Sequence, residues 1–262
     1  MKFAKKSLGQ NFLIDKNIIK KITCSAEINN KHVIEIGPGK GALTNEILSK
    51  NPKSLYLVEK DEVFSNDLKK RYLYDKRVKV LNSDILKLNV EKICKNNSII
   101  FGNLPYNISS QILVNFLKFK EWPPKYTNLI FMFQKELGEK IIGKFKTSNY
   151  GRLSILTNYR LEVNKKFFVS ENCFFPKPKV KSMVIQFKPK NKILYKIKDI
   201  KNLEKVTNTL FSNKRKMINK NIKKILNEKE INSIIDLKLD LRPENIKPEV
   251  YYKIAKLYER KN

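Results

Sequence analysis

Histidine is nearly missing from this chain of 262 residues: His32 stands alone. That leaves nothing from which to build an imidazole metal site or a histidine triad, and a single histidine beside a strand reads as structural. Cysteine is scarce as well. Cys24, Cys94 and Cys173 are odd in number and lack CxxC spacing, which argues against a disulfide or zinc framework. Free thiols in a reducing, cytoplasmic setting are the expectation. No apolar run approaches the roughly 18 residues of a membrane-spanning helix, so no membrane partner is expected. The basic start Met1–Lys6 leads into Asn11-Phe12-Leu13-Ile14-Asp15, too short and too charged for a signal peptide. Acidic side chains are outnumbered, 25 against 55 basic, giving a net charge of +30. Such a balance points to a polyanionic partner, nucleic acid or an anionic membrane face. Lysine far outnumbers arginine, and Asn and Ile are abundant. All have A/T-rich codons, so base-composition drift competes as an explanation for part of the charge.

Glycine is also sparse, 8 in all, well under the usual ~7%. Three of the eight fall within Gly37-Pro38-Gly39-Lys40-Gly41, which therefore needs backbone freedom. His32-Val33-Ile34-Glu35-Ile36 reads as a strand running into this cluster, and a helix follows through Leu43, Ile47 and Leu48. Strand, glycine turn and helix make a nucleotide-binding unit whose helix N-terminus adds donors and partial positive charge. Gly37-x-Gly39-x-x-Ala42 alone does not separate a nicotinamide dinucleotide from S-adenosylmethionine. The next strand, 54–58, ends at Glu59, 18 residues beyond Gly41, where a carboxylate suits a ribose diol. The plain alternative is a solvated Glu in a charged run, and the upstream glycines favour the ribose role. A third strand, 78–81, runs into Asp84, an acceptor for an adenine amino group or an ordinary Asx turn.

The fourth strand, 98–102, leads to Asn103-Leu104-Pro105-Tyr106-Asn107-Ile108-Ser109, where Ser109 would cap a helix. Asn103 thus falls at the carboxyl end of a strand, the edge at which open α/β sheets bind ligands. Its carboxamide oxygen can accept from an amino group. Pro105 lacks an N–H and holds Leu104 out of helical geometry, which leaves the Leu104 carbonyl as a second acceptor. Tyr106 adds an aromatic face. Two acceptors and a ring on a stiff turn suit a planar base with an exocyclic amine; a packed tyrosine in a proline turn is the plain alternative.

A fifth strand, 128–133, with a helix from Gln134 completes a β-α alternation. The expected architecture is α/β, a doubly wound, mostly parallel Rossmann-like sheet. Residues 8–14 precede a helix that Asp15 could cap, and within them Gln10 and Asn11 read as surface loop. A helix follows Tyr150-Gly151-Arg152-Leu153, and 182–187 alternates as a strand. Between them lies Phe174-Phe175-Pro176-Lys177-Pro178-Lys179-Val180, whose Phe174 could clamp a base against Tyr106. Alternation stops near Lys188, so the chain divides into a catalytic domain, 1–187, and a basic all-helical domain, 188–262. The latter has 21 basic against 9 acidic side chains, a net +12. Residues 212–224 form its basic stripe, suited to phosphate contacts.

Together these stretches resemble the ribosomal RNA adenine dimethyltransferases, most closely those acting on the small subunit. The likeness is carried by Gly9-Gln10-Asn11-Phe12-Leu13, Glu35-Ile36-Gly37-Pro38-Gly39, Glu59, Asp84, Asn103-Leu104-Pro105-Tyr106-Asn107-Ile108-Ser109, Tyr150-Gly151-Arg152-Leu153 and Phe174-x-Pro176-x-Pro178-x-Val180. It continues through Asn213-x-Arg215-Lys216 and Glu244-Asn245-Ile246. The resemblance implies S-adenosylmethionine as methyl donor, held by Asn11, Leu13, Gly37, Glu59, Asp84 and Asn103. It implies adenine N6 as acceptor, with two adjacent adenines near the 3′ end of small-subunit rRNA each gaining two methyl groups. The substrate would be rRNA within the immature small subunit, the enzyme a cytoplasmic monomer without metal. Asn103, Leu104, Tyr106 and Phe174 are the residues expected at the target base. Three other readings stay open: an enzyme acting on large-subunit rRNA, a non-catalytic assembly factor on the same scaffold, and a nicotinamide oxidoreductase.

Overall fold

The computed structural model describes residues 11–260. The basic start Met1–Lys6 and the Gly9-Gln10 half of the first motif lie outside them. The strands are β1 (Phe12–Leu13), β2 (His32–Ile36), β3 (Ser54–Glu59), β4 (Val78–Asn82), β5 (Ser98–Asn103), β6 (Tyr126–Gln134), β7 (Leu161–Val169), β8 (Phe174–Phe175) and β9 (Ser182–Pro189). The helices are α1 (Lys16–Thr23), α2 (Ala42–Ser49), α3 (Glu62–Arg71), α4 (Val90–Ile93), α5 (Ser109–Leu117), α6 (Lys135–Ile141), α7 (Arg152–Arg160), α8 (Ile200–Phe211), α9 (Asn219–Ile222), α10 (Glu228–Asn232) and α11 (Pro248–Glu259).

Seven strands form one sheet in the order β4-β3-β2-β5-β6-β9-β7. The β4-β3, β3-β2, β2-β5 and β5-β6 pairs are parallel, and β9 runs antiparallel to β6. This is the expected doubly wound α/β sheet. The chain steps outward from β2 to β3 and β4, then crosses to β5 on the other side of β2. That reversal places a topological switch point between β2 and β5, where such sheets open a crevice at their carboxyl ends. Local chemistry sets the helix starts. Asp15 accepts from Ile18 N at 2.9 Å and Asp61 from Val63 N at 2.9 Å, each satisfying an orphan amide. Lys69, Lys70 and Arg71 close α3 with positive charge, which suits its carbonyl end. α1 turns Ile19 and Ile22 onto a core shared with Val33, Leu43, Ile47, Leu55, Leu57 and Phe101.

Several expectations shift. Residues 12–13 form a short strand that the sequence reading did not foresee: they pair antiparallel with β8, Phe12 opposite Phe175 and Leu13 opposite Phe174. The strand at 182–187 does not alternate, because every residue from Ser182 to Phe187 is buried. It lies inside the sheet, covered on both faces, where a continuous buried run replaces alternation. Ser109 is the first residue of α5, not the residue before it, and its hydroxyl donates back to the Tyr106 carbonyl at 3.1 Å.

The described chain forms two compact units. The first contains residues up to Asn115, Pro123–Gly138 and Val163–Pro189; the second contains Phe116–Trp122, Glu139–Glu162 and everything from Lys190. The tail thus leaves the first unit close to the break at Lys188, but two earlier segments join it. Tyrosine hydroxyls show why. Tyr150 donates to the Ile246 carbonyl at 2.8 Å, Tyr252 to Ile155 at 3.3 Å and Tyr159 to Tyr195 at 2.8 Å. Buried Arg160 donates to the Leu117 and Phe119 carbonyls and lies over the Trp122 ring. Those partners are remote in sequence, so composition could not foresee them. Residues 212–224 are turns followed by the four-residue α9, not one helical stripe.

Candidate functional site

The carboxyl ends of β2, β3 and β5 and the segment after β4 meet at one cleft in the first unit. Asn11, Leu13, Gly37, Glu59, Asp84, Asn103, Leu104 and Tyr106 all line it, gathered from positions spread over nearly a hundred residues. The glycine turn forms its floor. Gly39 has φ +54°, and a Cβ there would stand 3.0 Å from the Phe12 ring. Gly41, with φ +80°, opens α2 in the left-handed region that side chains avoid. Arg71 Nη1 donates to the Lys40 carbonyl at 2.8 Å and pins the turn from α3.

Two buried carboxylates face this floor. Glu59 Oε2 accepts from Gly39 N at 3.0 Å and Oε1 from Asp61 N at 2.8 Å. Burial still pushes its pKa up. Glu35 is fully buried inside β2 and accepts from Thr44 Oγ1 at 2.7 Å. Burial raises it to about 8. The signal for Glu35 in the sequence is an acid set between Ile34 and Ile36 in a strand. Asp84 is held differently. Lys60 Nζ lies 2.9 Å from its Oδ2, and Leu86 N donates to its Oδ1 at 3.0 Å. The lysine holds its carboxyl below the usual range, so it stays ionised at neutral pH.

At the end of β5, Asn103 Nδ2 donates to the Asn11 carbonyl at 3.0 Å. With the nitrogen engaged, Oδ1 is the acceptor that the amide has left, on a residue that lines the cleft. Leu104 turns its side chain into the core, 2% exposed, over the space that a Cβ on Gly102 would need. The Leu104 carbonyl accepts no hydrogen bond among the described residues. Tyr106 is tethered through its hydroxyl to Ser182 Oγ at 2.6 Å. Ser182 is fully buried at the start of β9 and had no signal in the sequence.

Phe174 does not join them. It is 3% exposed, pairs with Leu13 and belongs to the hydrophobic core. Neighbouring residues of a strand point to opposite faces, so Phe175 is the exposed member of the pair, at 63%. The proposed clamp of Phe174 on a base is therefore corrected: it supports Leu13 from behind.

The cleft suits a cationic nucleoside. Its floor is backbone brought close by glycine, its acids are buried against N–H and hydroxyl donors, and a sulfonium would relieve part of their desolvation. S-adenosylmethionine fits that donor set.

Comparison with known proteins agrees. Residues 1–260 match the family model described as ribosomal RNA adenine dimethylase. The chain is 46% identical over 257 residues to ribosomal RNA small subunit methyltransferase A of Pelagibacter ubique, covering 98% of this chain and 97% of the relative. It is 40% identical over 261 residues to the protein of the same name from Malacoplasma penetrans, covering 97% and 91%. Among solved structures, a dimethyladenosine transferase from Plasmodium falciparum shares the fold with a TM-score of 0.75 and 24% identity, covering 93% and 95%. The 23S rRNA methyltransferase ErmE shares it with a TM-score of 0.66 and 22% identity, covering 94% and 98%. By the match across nearly its whole length and by these relatives, the chain belongs to the ribosomal RNA adenine dimethylase family.

Proposed function

We propose that this chain transfers methyl groups from S-adenosylmethionine to N6 of two adjacent adenines near the 3′ end of small-subunit rRNA, giving N6,N6-dimethyladenosine. The activity class comes with family membership: an S-adenosylmethionine-dependent dimethylation of rRNA adenine. The small-subunit target rests on relatives named for it at 46% and 40% identity. The observation behind the residue roles is that Asn103, Leu104 and Tyr106 line the same cleft as Glu59 and Asp84.

When bound, S-adenosylmethionine supplies an electrophilic methyl on a sulfonium sulfur. Glu59, pre-oriented by Gly39 N and Asp61 N, accepts from the ribose hydroxyls. Asp84 accepts from the cofactor's adenine amine, while Asn11, Leu13 and Gly37 shape the walls. The acceptor chemistry belongs to the β5 turn. An exocyclic amine is a poor nucleophile because its lone pair is delocalised into the ring. Asn103 Oδ1 and the Leu104 carbonyl accept its two hydrogens and turn the lone pair toward the methyl. Their help raises the rate to the extent that it is stronger in the transition state, and the remainder is alignment. The nitrogen becomes acidic once alkylated and gives its proton to solvent, so a strong base is not needed. Tyr106 stacks on the extruded base, worth roughly 1–3 kcal/mol. The working form is a cytoplasmic monomer acting on the immature subunit.

The test is transfer of labelled methyl groups to unmethylated small subunits and, separately, to large subunits, with the modified bases mapped. Label in dimethyladenosine of small-subunit rRNA is expected. Label confined to large-subunit rRNA, or cofactor binding with no transfer, would overturn the reading.

A further inference from the structure

At the edge of the sheet, in the same unit as the cleft, an aromatic ring stands exposed near a lysine. Phe168, next to last in the edge strand β7, is 54% exposed. Its neighbours face the other way: Phe167 packs on the core beneath Lys21 and Val169 is buried. A lone exposed apolar residue is common on protein surfaces. Three connections make this one different. Lys135 Nζ sits 5.5 Å from the Phe168 ring centroid. The Lys135 amide donates to the Lys181 carbonyl at 2.9 Å. Ser182, the next residue, holds the Tyr106 hydroxyl. A short path of contacts thus runs from the ring assigned to the target adenine to an exposed ring beside Lys135, and Lys181, on that path, is exposed as well.

The geometry points to a second nucleotide subsite. Phe168 stacks on an unpaired base flanking the extruded adenine, and Lys135 and Lys181 take the phosphates on either side of it. This rests on the rRNA adenine reading above and extends it to how the flanking strand is held. A base extruded from its stack leaves neighbours that lose stacking on one side, and a protein ring can replace it. The aromatic face is sequence-tolerant, while the lysines supply salt-dependent affinity. Protein partners are disfavoured by the charge: an exposed ring beside one lysine, with a second exposed lysine on the same path, matches a phosphodiester strand, whose bases and phosphates alternate.

The experiment compares the full-length wild type with Phe168→Leu, Phe168→Trp, Lys135→Gln and Lys181→Gln on unmethylated small subunits. Affinity for the subunit, the salt dependence of that affinity and cofactor affinity are measured together. Phe168→Leu keeps the apolar bulk and removes the π face. It should weaken subunit binding about tenfold with an unchanged salt slope, and Phe168→Trp should restore it. Each Lys→Gln change should lower the salt slope by roughly 0.7. Cofactor affinity should stay constant throughout. Phe168→Leu binding as tightly as wild type would overturn the subsite while the rRNA reading stands. A wild type that methylates no small-subunit adenine would overturn that reading, and the subsite with it.

Discussion

The side-chain amide of Asn103 donates to the backbone carbonyl of Asn11, a 3.0 Å bond between the end of β5 and the residue before β1. It locks the carboxamide about its last torsion, so nitrogen and oxygen are not interchangeable. Asn103→Ala removes the acceptor and should lower kcat by on the order of a hundredfold or more, as loss of one preorganised polar group does elsewhere. Asn103→Asp keeps an acceptor but sets a carboxylate against the Asn11 carbonyl, and should lose activity comparably. Thermal unfolding should shift little in either. Single-turnover methyl transfer beside a melting curve checks this; an active Asn103→Asp would mean that the orientation of the amide is irrelevant.

Half-buried Tyr106 and fully buried Ser182 form a hydroxyl pair whose coupling can be measured directly. Their hydroxyls lie 2.6 Å apart, and burial pushes the Tyr106 phenol up, so it remains a neutral hydrogen-bonding group. Removing Ser182 Oγ leaves the phenol without this partner and loosens the ring. Ser182→Ala should raise KM for the subunit about fivefold, consistent with roughly 1 kcal/mol for one hydrogen bond. Tyr106→Phe should do the same, and the double variant should be no worse than either alone. Additive losses would show that the pair does not act as a unit.

Much of the fold was legible because its signals are local. Alternation of apolar runs and helical periods gave the five parallel strands, and Asp15 and the glycine cluster marked turns by their own chemistry. The cleft was legible for the same reason, since the ends of parallel strands converge whatever the details. What stayed hidden depends on partners distant in sequence. Ser182 reaches Tyr106 across 76 positions, and Tyr150 joins Ile246 across 96, which drew residues 139–162 into the tail's unit. Phe174 and Phe175 were indistinguishable as letters. Which of them is buried follows from the register of β8 against β1, a fact of pairing and not of composition.

Gly39 offers a test of the cleft floor that leaves all polar groups in place. Its φ of +54° strains any side chain, and an added methyl would stand 3.0 Å from the edge of the Phe12 ring. Phe12 is itself packed edge-on against Phe64, with centroids 5.4 Å apart, and has little freedom to retreat. Gly39→Ala should therefore displace the turn that donates to Glu59. Cofactor affinity should fall at least tenfold, with a loss of stability of about 1–2 kcal/mol from the left-handed conformation. Isothermal titration with S-adenosylmethionine and a denaturant curve report the two effects separately. Unchanged affinity would place the cofactor off this turn.

Glu35 makes stability and cofactor binding depend on pH in opposite directions. Its carboxyl is raised from 4.5 to about 8, chiefly by burial. Below the unfolded value both states are protonated, and the contribution to stability is fully present. As pH rises toward about 8 the unfolded chain releases this proton and the native one keeps it, so unfolding gains at each step until the loss is complete. A shift of that size corresponds to roughly 4–5 kcal/mol as an upper bound. Glu35→Gln abolishes the titration. Between about pH 5 and pH 9 it should gain stability relative to wild type, which denaturant midpoints at both ends of the range detect. A bound sulfonium favours the ionised carboxylate, so in wild type cofactor affinity should rise across the same range while apo stability falls. Parallel pH profiles for wild type and Glu35→Gln would mean that Glu35 is already ionised in the folded protein, and that the cleft presents its negative charge without waiting for a cation.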